Sequence, residues 1–153
     1  MALAVGDLAP DFTLKDQYAQ DVSLSALLKE RAVLIVFYPF AFSGVCPGEL
    51  NGFRDRLGDV ETEASTIVAI SCDPIYAQRA FADRDALFFP LLSDFWPQGS
   101  VASAYDVFEP QIGAATRSSY LVGRDGTVQW SVHNDLGDAR DLDAHAVAIR
   151  ALD

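Results

Sequence analysis

Stretches of hydrophobic residues alternate along the chain with polar turns and with segments of helical periodicity. Val33–Tyr38 is apolar almost throughout, which is typical of a strand buried on both faces. Residues 50–57 carry apolar side chains at three- and four-residue spacing, which predicts a helix that ends near Glu63. Thr66–Ser71 is a second apolar strand, and we expect it to run parallel to the first because a helix connects them.

The remaining segments are predicted to form shorter elements. On the amino-terminal side we expect, in chain order, a strand ending at Leu14, a polar turn over Asp16–Gln20, a strand over Val22–Leu24 and a helical turn through Leu28 capped by Ser23 or Ser25. On the carboxy-terminal side we expect a helix over Tyr76–Arg84, a short apolar segment over Pro90–Asp94, a helix over Gly99–Tyr105, a hairpin of Ser118–Val122 with Thr127–Val132, and a helix over Asp138–Leu152. This order predicts one thioredoxin-like α/β domain over residues 1–153, with a mixed central sheet and helices on both faces.

The candidate catalytic residues lie where the first buried strand leads into the helix after it. Cys46 stands at that junction, where the amides of a helix N-terminus and the helix dipole favour negative charge and lower the pKa of a thiol. Because the thiolate is the nucleophilic form of cysteine, this position predicts redox or transfer chemistry. Ser43 offers a hydroxyl to a thiolate or a substrate, and Pro39 walls a pocket without a competing amide. Glu49, one turn into the helix, is placed to hold a cationic partner.

The spacing of these residues resembles the active-site motif of the peroxiredoxins, Pro-x-x-x-[Thr/Ser]-x-x-Cys, which is complete at Pro39, Ser43 and Cys46. Further segments resemble blocks of the same family: residues 6–14 its opening, 91–97 and 105–108 the region after the central strands, and 117–122 the strand that carries its catalytic arginine. The run Ser-Asp-Phe-Trp-Pro-x-Gly and the short C-terminus are similar to the AhpE-like, largely one-cysteine branch.

The resemblance implies a thiol-dependent peroxidase that reduces hydrogen peroxide and organic hydroperoxides without a cofactor. Cys46 would attack the terminal peroxide oxygen and become a sulfenic acid, which a low-molecular-weight thiol or a thioredoxin- or glutaredoxin-like protein would reduce. The family also implies a homodimer or a larger homo-oligomer. The roles implied for the other residues are cationic donors on Arg117, a hydroxyl bridge from Ser43 (where Thr is commoner), shielding by Pro39, orientation of Arg117 by Glu49, and an aromatic surround that includes Trp96.

The second cysteine, Cys72, closes the second apolar strand, at the sheet edge where Cys46 is also expected. A resolving role for Cys72 in a two-cysteine mechanism therefore stays open. It matches no resolving position that the family resemblance supplies, however, and a cysteine at a strand end is usually an inert small hydrophobe. We therefore predict a one-cysteine route and keep the two-cysteine route as the alternative.

The amino-acid composition limits which partners the protein is expected to bind and in which cellular compartment it is expected. A net charge of −11 over 153 residues argues against nucleic acid or an anionic membrane as partner. No apolar stretch approaches a membrane span, and two cysteines provide no disulfide framework, so we expect a protein of the reducing cytoplasm. His133 and His145 have no spaced Cys, His or carboxylate cluster around them, so we assign them structural or surface roles and expect no metal site.

Three other functions compete with peroxide reduction. A thiol–disulfide oxidoreductase on the same fold is disfavoured because Cys46–Glu49 lacks the second cysteine of a Cys-x-x-Cys pair. A cysteine phosphatase needs an arginine six positions after its cysteine, where Gly52 stands instead. The third is a noncatalytic interaction module that keeps the fold, and rapid sulfenic acid formation at Cys46 would exclude it.

Overall fold

The computed structural model describes residues 3–42, 46–135 and 138–152, with the backbone alone at Cys46 and Pro47. Within these residues the strands are β1 (Thr13–Lys15), β2 (Asp21–Ser23), β3 (Ala32–Phe37), β4 (Ser65–Ser71), β5 (Leu91–Ser93), β6 (Phe108–Glu109), β7 (Ala114–Ala115), β8 (Arg117–Val122) and β9 (Val128–Asn134). The helices are α1 (Leu24–Leu28), α2 (Cys46–Asp55), α3 (Leu57–Val60), α4 (Ile75–Asp85), α5 (Ser100–Ala104) and α6 (Leu142–Arg150).

Seven strands form one mixed sheet in the order β2-β1-β5-β4-β3-β8-β9. Strands β3, β4 and β5 run parallel to one another, whereas β8 runs antiparallel to β3 and pairs with β9 as a hairpin. The predicted mixed sheet, the parallel pairing of the two apolar strands and the C-terminal hairpin are therefore confirmed.

The central strand β3 is buried on both faces because its side chains alternate between two cores. Val33, Ile35 and Phe37 pack on one face with residues of α1 and α5. Leu34 and Val36 pack on the other face with residues of α2, α3, α4 and α6. The helices thus cover both faces of the sheet, as the continuous apolar pattern of this strand indicated.

Most boundaries lie within one or two residues of the sequence prediction, and three differences are larger. The helix expected to run to Glu63 is interrupted at Arg56, whose backbone leaves the helical region and separates α2 from α3. The last helix begins at Leu142 rather than Asp138, because the Asp141 side chain accepts a hydrogen bond from a backbone amide of the first turn and caps it. Strands β6 and β7 were not predicted, since two residues each are too few to show a strand pattern.

The sheet topology brings distant segments to one edge. Because β3, β4 and β5 are parallel, the segments that follow them all leave from their carboxyl ends. Strand β8 is antiparallel and pairs Ser118 with Phe37, so the start of β8 lies at the same edge. This edge, which we call the carboxyl edge, is where ligands collect in sheets of this kind.

None of the helices in the described part of the chain reaches the length and apolar character that crossing a bilayer requires.

Candidate active site

Cys46 is the first residue of α2, which starts at the carboxyl edge after the loop that follows β3. The free amides of the first helical turn and the positive end of the helix dipole lie at this position. Glu49 is three residues further along the same helix, so it lies on the same face as Cys46. The helix therefore places a buried carboxylate one turn away from the candidate nucleophile.

Arg117 is the first residue of β8 and lies at the carboxyl edge because Ser118, its neighbour, pairs with the end of β3. Its side chain is only 3% exposed, which is unusual for an arginine. Its Nη1 donates a hydrogen bond to Oε1 of Glu49, 68 positions earlier in the chain. The contact predicted between Glu49 and Arg117 is therefore present.

Arg140, which sequence reasoning missed, holds the other oxygen of the same carboxylate. Its backbone amide and its Nε donate to Glu49 Oε2 at 2.7 and 3.1 Å. Its Nη2 donates to the carbonyl of Phe37 at the end of β3, and its Nη1 donates to the carbonyl of Ser118 at 3.2 Å. The sequence held one weak signal: Arg140 is the only basic residue among the four aspartates of residues 135–143.

Arg117, Glu49 and Arg140 form a buried cluster with one positive charge in excess, since two guanidinium groups share one carboxylate. All three side chains are almost fully removed from water, where charge interactions are screened less than at the surface. An excess positive charge on the face of α2 that begins with Cys46 favours a thiolate at that position. We call this group the Glu49 cluster.

The loop before α2 is held at the carboxyl edge by a carboxylate. Pro39, two residues after the end of β3, is buried, and its shielding of a pocket stays a prediction. The backbone amide of Ala41 donates to Asp73 Oδ2 at 2.8 Å, and the Ser71 hydroxyl donates to the same oxygen at 2.7 Å. The end of β4 thus anchors the loop. Ser43 lies outside the described residues, so its hydroxyl bridge stays a prediction.

Trp96 lies in the turn after β5, and 84% of its side chain is exposed. Within a single chain it is therefore a surface residue rather than a packed wall beside the Glu49 cluster. Its neighbour Phe95 is half exposed as well. The role of Trp96 as part of an aromatic wall around the active site stays a prediction. The exposure of the Trp96 side chain does not support that role in the isolated chain.

Cys72 follows the last residue of β4 at the carboxyl edge, as predicted, and its side chain is 8% exposed. Burial, with smaller contributions from the charges of Asp94 and Asp73, raises the pKa of this thiol to about 12. The backbone amide of Ala115 donates to the sulfur but opposes the shift only in part. At neutral pH Cys72 is therefore a neutral thiol and a poor nucleophile.

Cys72→Val is expected to leave peroxide turnover with an external thiol within about twofold of wild type, since valine fills a similar buried volume. In the wild-type protein at pH 8, iodoacetamide should alkylate Cys46 and leave Cys72 free, which peptide mass spectrometry measures. Loss of turnover in Cys72→Val, or equal labelling of both thiols, would show that Cys72 takes part in the reaction.

The two histidines have different environments. His145 on α6 is fully buried, and burial lowers its pKa to about 4, so its ring is neutral at physiological pH. His133 on β9 is largely exposed, and its Nδ1 lies 2.8 Å from the Ser118 hydroxyl. In the described ranges, no three His, Cys, Asp or Glu side chains are grouped so that they could hold a metal ion.

Comparison with known proteins decides the family. Residues 5–131 match the AhpC/TSA family. The chain belongs to this family. It is 43% identical over 150 residues to alkyl hydroperoxide reductase E of Mycobacterium tuberculosis, with 98% of each chain covered. It is 31% identical to the chloroplastic 2-Cys peroxiredoxin BAS1 of Hordeum vulgare, with 97% of this chain and 74% of that protein covered.

The fold of this AhpC/TSA protein agrees with that assignment. It superposes on the crystal structure of peroxidoxin BcpB from Mycobacterium tuberculosis with a TM-score of 0.86, 31% identity and 99% coverage of both chains. The peroxiredoxin family, the AhpE-like branch and the thioredoxin-like fold predicted from the sequence are thereby confirmed.

Proposed function

We propose that this protein is a thiol-dependent peroxidase that reduces hydrogen peroxide and organic hydroperoxides through Cys46. The thiolate sulfur attacks the terminal peroxide oxygen, so that an S–O bond forms while the O–O bond breaks. The leaving oxygen takes a proton and departs as water or an alcohol, and Cys46 is oxidised by two electrons to a sulfenic acid. Arg117 supplies N–H donors where negative charge develops on the reacting oxygens.

The observation that carries this proposal is the buried Glu49 cluster at the start of α2. Peroxide reduction needs a thiolate and preorganised donors, and both follow from an arginine that a buried carboxylate holds in place. Glu49 fixes the side chain of Arg117, and Arg140 fixes Glu49 in turn. Family membership supports the same chemistry, since the relative with 43% identity is named an alkyl hydroperoxide reductase.

For turnover we propose an external reductant, either a low-molecular-weight thiol or a thioredoxin- or glutaredoxin-like protein. Its thiol attacks the sulfenic sulfur and releases water, and a second thiol then frees Cys46 from the mixed disulfide. The burial and raised pKa of Cys72 support this one-cysteine route.

A cycle that depends on an external thiol suits the reducing cytoplasm, where we propose that the protein is located. Cell fractionation checks this location, and recovery in an oxidising compartment would contradict it.

Rapid mixing of the reduced protein with one equivalent of hydrogen peroxide or cumene hydroperoxide tests the reaction. Samples are quenched by alkylation, and the loss of free Cys46 is measured by peptide mass spectrometry. We expect oxidation orders of magnitude faster than that of dithiothreitol under the same conditions, and multiple turnovers when dithiothreitol is added in excess. Oxidation no faster than that of the free thiol would support the noncatalytic interaction module instead.

We further propose a homodimer whose interface includes the exposed aromatic residues of the carboxyl edge. Phe40 and Phe42 follow β3, and Phe95 and Trp96 follow β5; their side chains are 40, 45, 50 and 84% exposed. Because β3 and β5 share one direction in the sheet, these side chains leave from the same edge. Exposed aromatic residues at one edge of a sheet are typical of protein interfaces.

Sedimentation velocity at micromolar concentration should give twice the mass of the chain for the wild type. Trp96→Asp should shift the protein towards monomer, because it places a charge in a buried interface. Phe88→Asp is the matched control, since Phe88 is similarly exposed but lies before β5, at the opposite edge of the sheet. A wild-type monomer, or equal effects of both variants, would contradict the proposed interface.

A further inference from the structure

Behind the Glu49 cluster, a chain of buried polar groups continues to the last helix. Arg140 Nη1 donates a hydrogen bond to the Ser119 hydroxyl at 3.0 Å. The same hydroxyl lies 2.8 Å from Nε2 of His145, and Nδ1 of His145 lies 2.7 Å from the carbonyl of Asp141. Ser119 and His145 are both fully buried, so bulk water does not compete for these hydrogen bonds.

The donor and acceptor character of each group determines where every proton lies in this series of hydrogen bonds. The carbonyl of Asp141 can only accept, so Nδ1 of His145 carries the ring proton. The ring is neutral because burial lowers its pKa to about 4; the hydrogen bond to the Asp141 carbonyl opposes this shift only in part, and the positive charge of Arg140 adds to it. Its Nε2 therefore has a free lone pair, and the Ser119 O–H donates to it. With its proton committed there, the Ser119 oxygen offers a lone pair to Arg140.

The imidazole ring is itself held in place by two aromatic side chains. Phe53 of α2 meets it edge to face with ring centroids 5.2 Å apart, and Trp130 of β9 does so at 4.8 Å. Phe53 belongs to the helix that begins at Cys46 and carries Glu49. An apolar side chain could fill this space, so packing alone does not require two satisfied ring nitrogens joined to a charged cluster.

We infer that His145 and Ser119 are positioning residues for peroxide reduction, which hold Arg140 so that Glu49 keeps Arg117 in its catalytic orientation. This inference rests on the proposed function of Cys46 and Arg117 and extends it by two residues that do not touch the substrate. A continuous series of hydrogen bonds connects His145 to Arg117. It runs from the His145 ring through the Ser119 hydroxyl to the Arg140 guanidinium. From there it continues through the Glu49 carboxylate to the Arg117 guanidinium.

The test compares two rates at Cys46 in each variant: oxidation by hydrogen peroxide, and alkylation by iodoacetamide. Both reactions need the folded protein and the thiolate, but only oxidation needs donors aimed at the leaving oxygen. The ratio of the two rates therefore cancels a change in folded fraction or thiolate population. Both rates are measured by mass spectrometry of the Cys46 peptide, well below the unfolding temperature of each variant.

His145→Leu and Ser119→Ala are expected to lower the ratio of oxidation to alkylation by about tenfold, because they shift Arg117 only through intermediate groups, whereas a misplacement of about 1 Å in the reacting geometry costs about 10²-fold. Ser119→Thr keeps the hydroxyl and His145→Gln keeps an acceptor near the position of Nε2, so both should restore most of the ratio. His133→Leu is the control, because His133 is itself exposed and its ring contacts the hydroxyl of Ser118 rather than a side chain of the Glu49 cluster, so the ratio should stay unchanged.

A ratio within twofold of wild type in both His145→Leu and Ser119→Ala, or equal falls of the two rates, would overturn the inference and leave these residues a structural role. Slow oxidation of the wild type itself would be a different failure. It would overturn the proposed function, and this inference with it, before any variant is compared.

Discussion

Cys46→Ser is expected to abolish peroxide reduction, with a fall in rate of at least about 10⁴-fold, since loss of the nucleophile of an enzyme can cost about 10⁶-fold. The serine hydroxyl has the same place at the start of α2 but does not ionise near neutral pH, so the S–O bond-forming step has no substitute. Consumption of hydrogen peroxide with excess dithiothreitol measures the effect.

The matched control for this change is Cys72→Val, which removes the other thiol and should keep full turnover. Serine differs from cysteine only in the exchange of sulfur for oxygen and has a similar volume, so Cys46→Ser should unfold at a temperature close to that of wild type. Residual turnover above the dithiothreitol background in Cys46→Ser would mean that another group attacks the peroxide.

Arg117→Met is expected to slow the oxidation of Cys46 by about 10² to 10³-fold, the effect of removing one preorganised donor from a transition state. Methionine retains much of the length of the arginine side chain, and Glu49 keeps its two hydrogen bonds from Arg140, so its carboxylate is not left without a partner. Loss of one positive charge beside α2 should also raise the midpoint pH of Cys46 alkylation.

Two further variants separate charge from geometry in this prediction. Arg117→Lys keeps the charge but not the planar fork of donors, so it should recover only part of the rate. Arg79→Met removes a positive charge from the exposed face of α4, where Arg79 pairs with Asp83, and should leave the rate unchanged. An Arg117→Met protein as fast as wild type would show that Arg117 holds the fold rather than the transition state.

Local patterns were sufficient to predict the elements that bring the site together. The continuous apolar runs of β3 and β4 identified them as buried parallel strands, and the hairpin pattern identified β8 and β9. The carboxyl ends of β3 and β4 placed Cys46 and Cys72 at one edge, whereas the sequence linked Arg117 to Cys46 only through the family resemblance. The first turn of a helix is also a local feature, which is why Glu49 could be named as a partner of a cation.

The rest of the site depends on contacts that no local pattern encodes. Arg140 meets Glu49 across 91 positions of the chain, from an irregular segment before α6. His145 was assigned a structural or surface role because it lacks a cluster in sequence, whereas its partner Ser119 lies 26 positions earlier on β8. For Trp96 the sequence gives an aromatic residue near the carboxyl edge but not whether it is buried.

The central claim, that Cys46 alone carries the oxidised state, is tested most directly by oxidising the protein with one equivalent of hydrogen peroxide in the presence of a 1,3-diketone that traps sulfenic acid. The protein is then digested without reductant and the peptides are identified by mass spectrometry. We predict a diketone adduct on the Cys46 peptide and a free thiol on the Cys72 peptide. A dominant disulfide between the Cys46 and Cys72 peptides, or an unmodified Cys46, would contradict the one-cysteine mechanism.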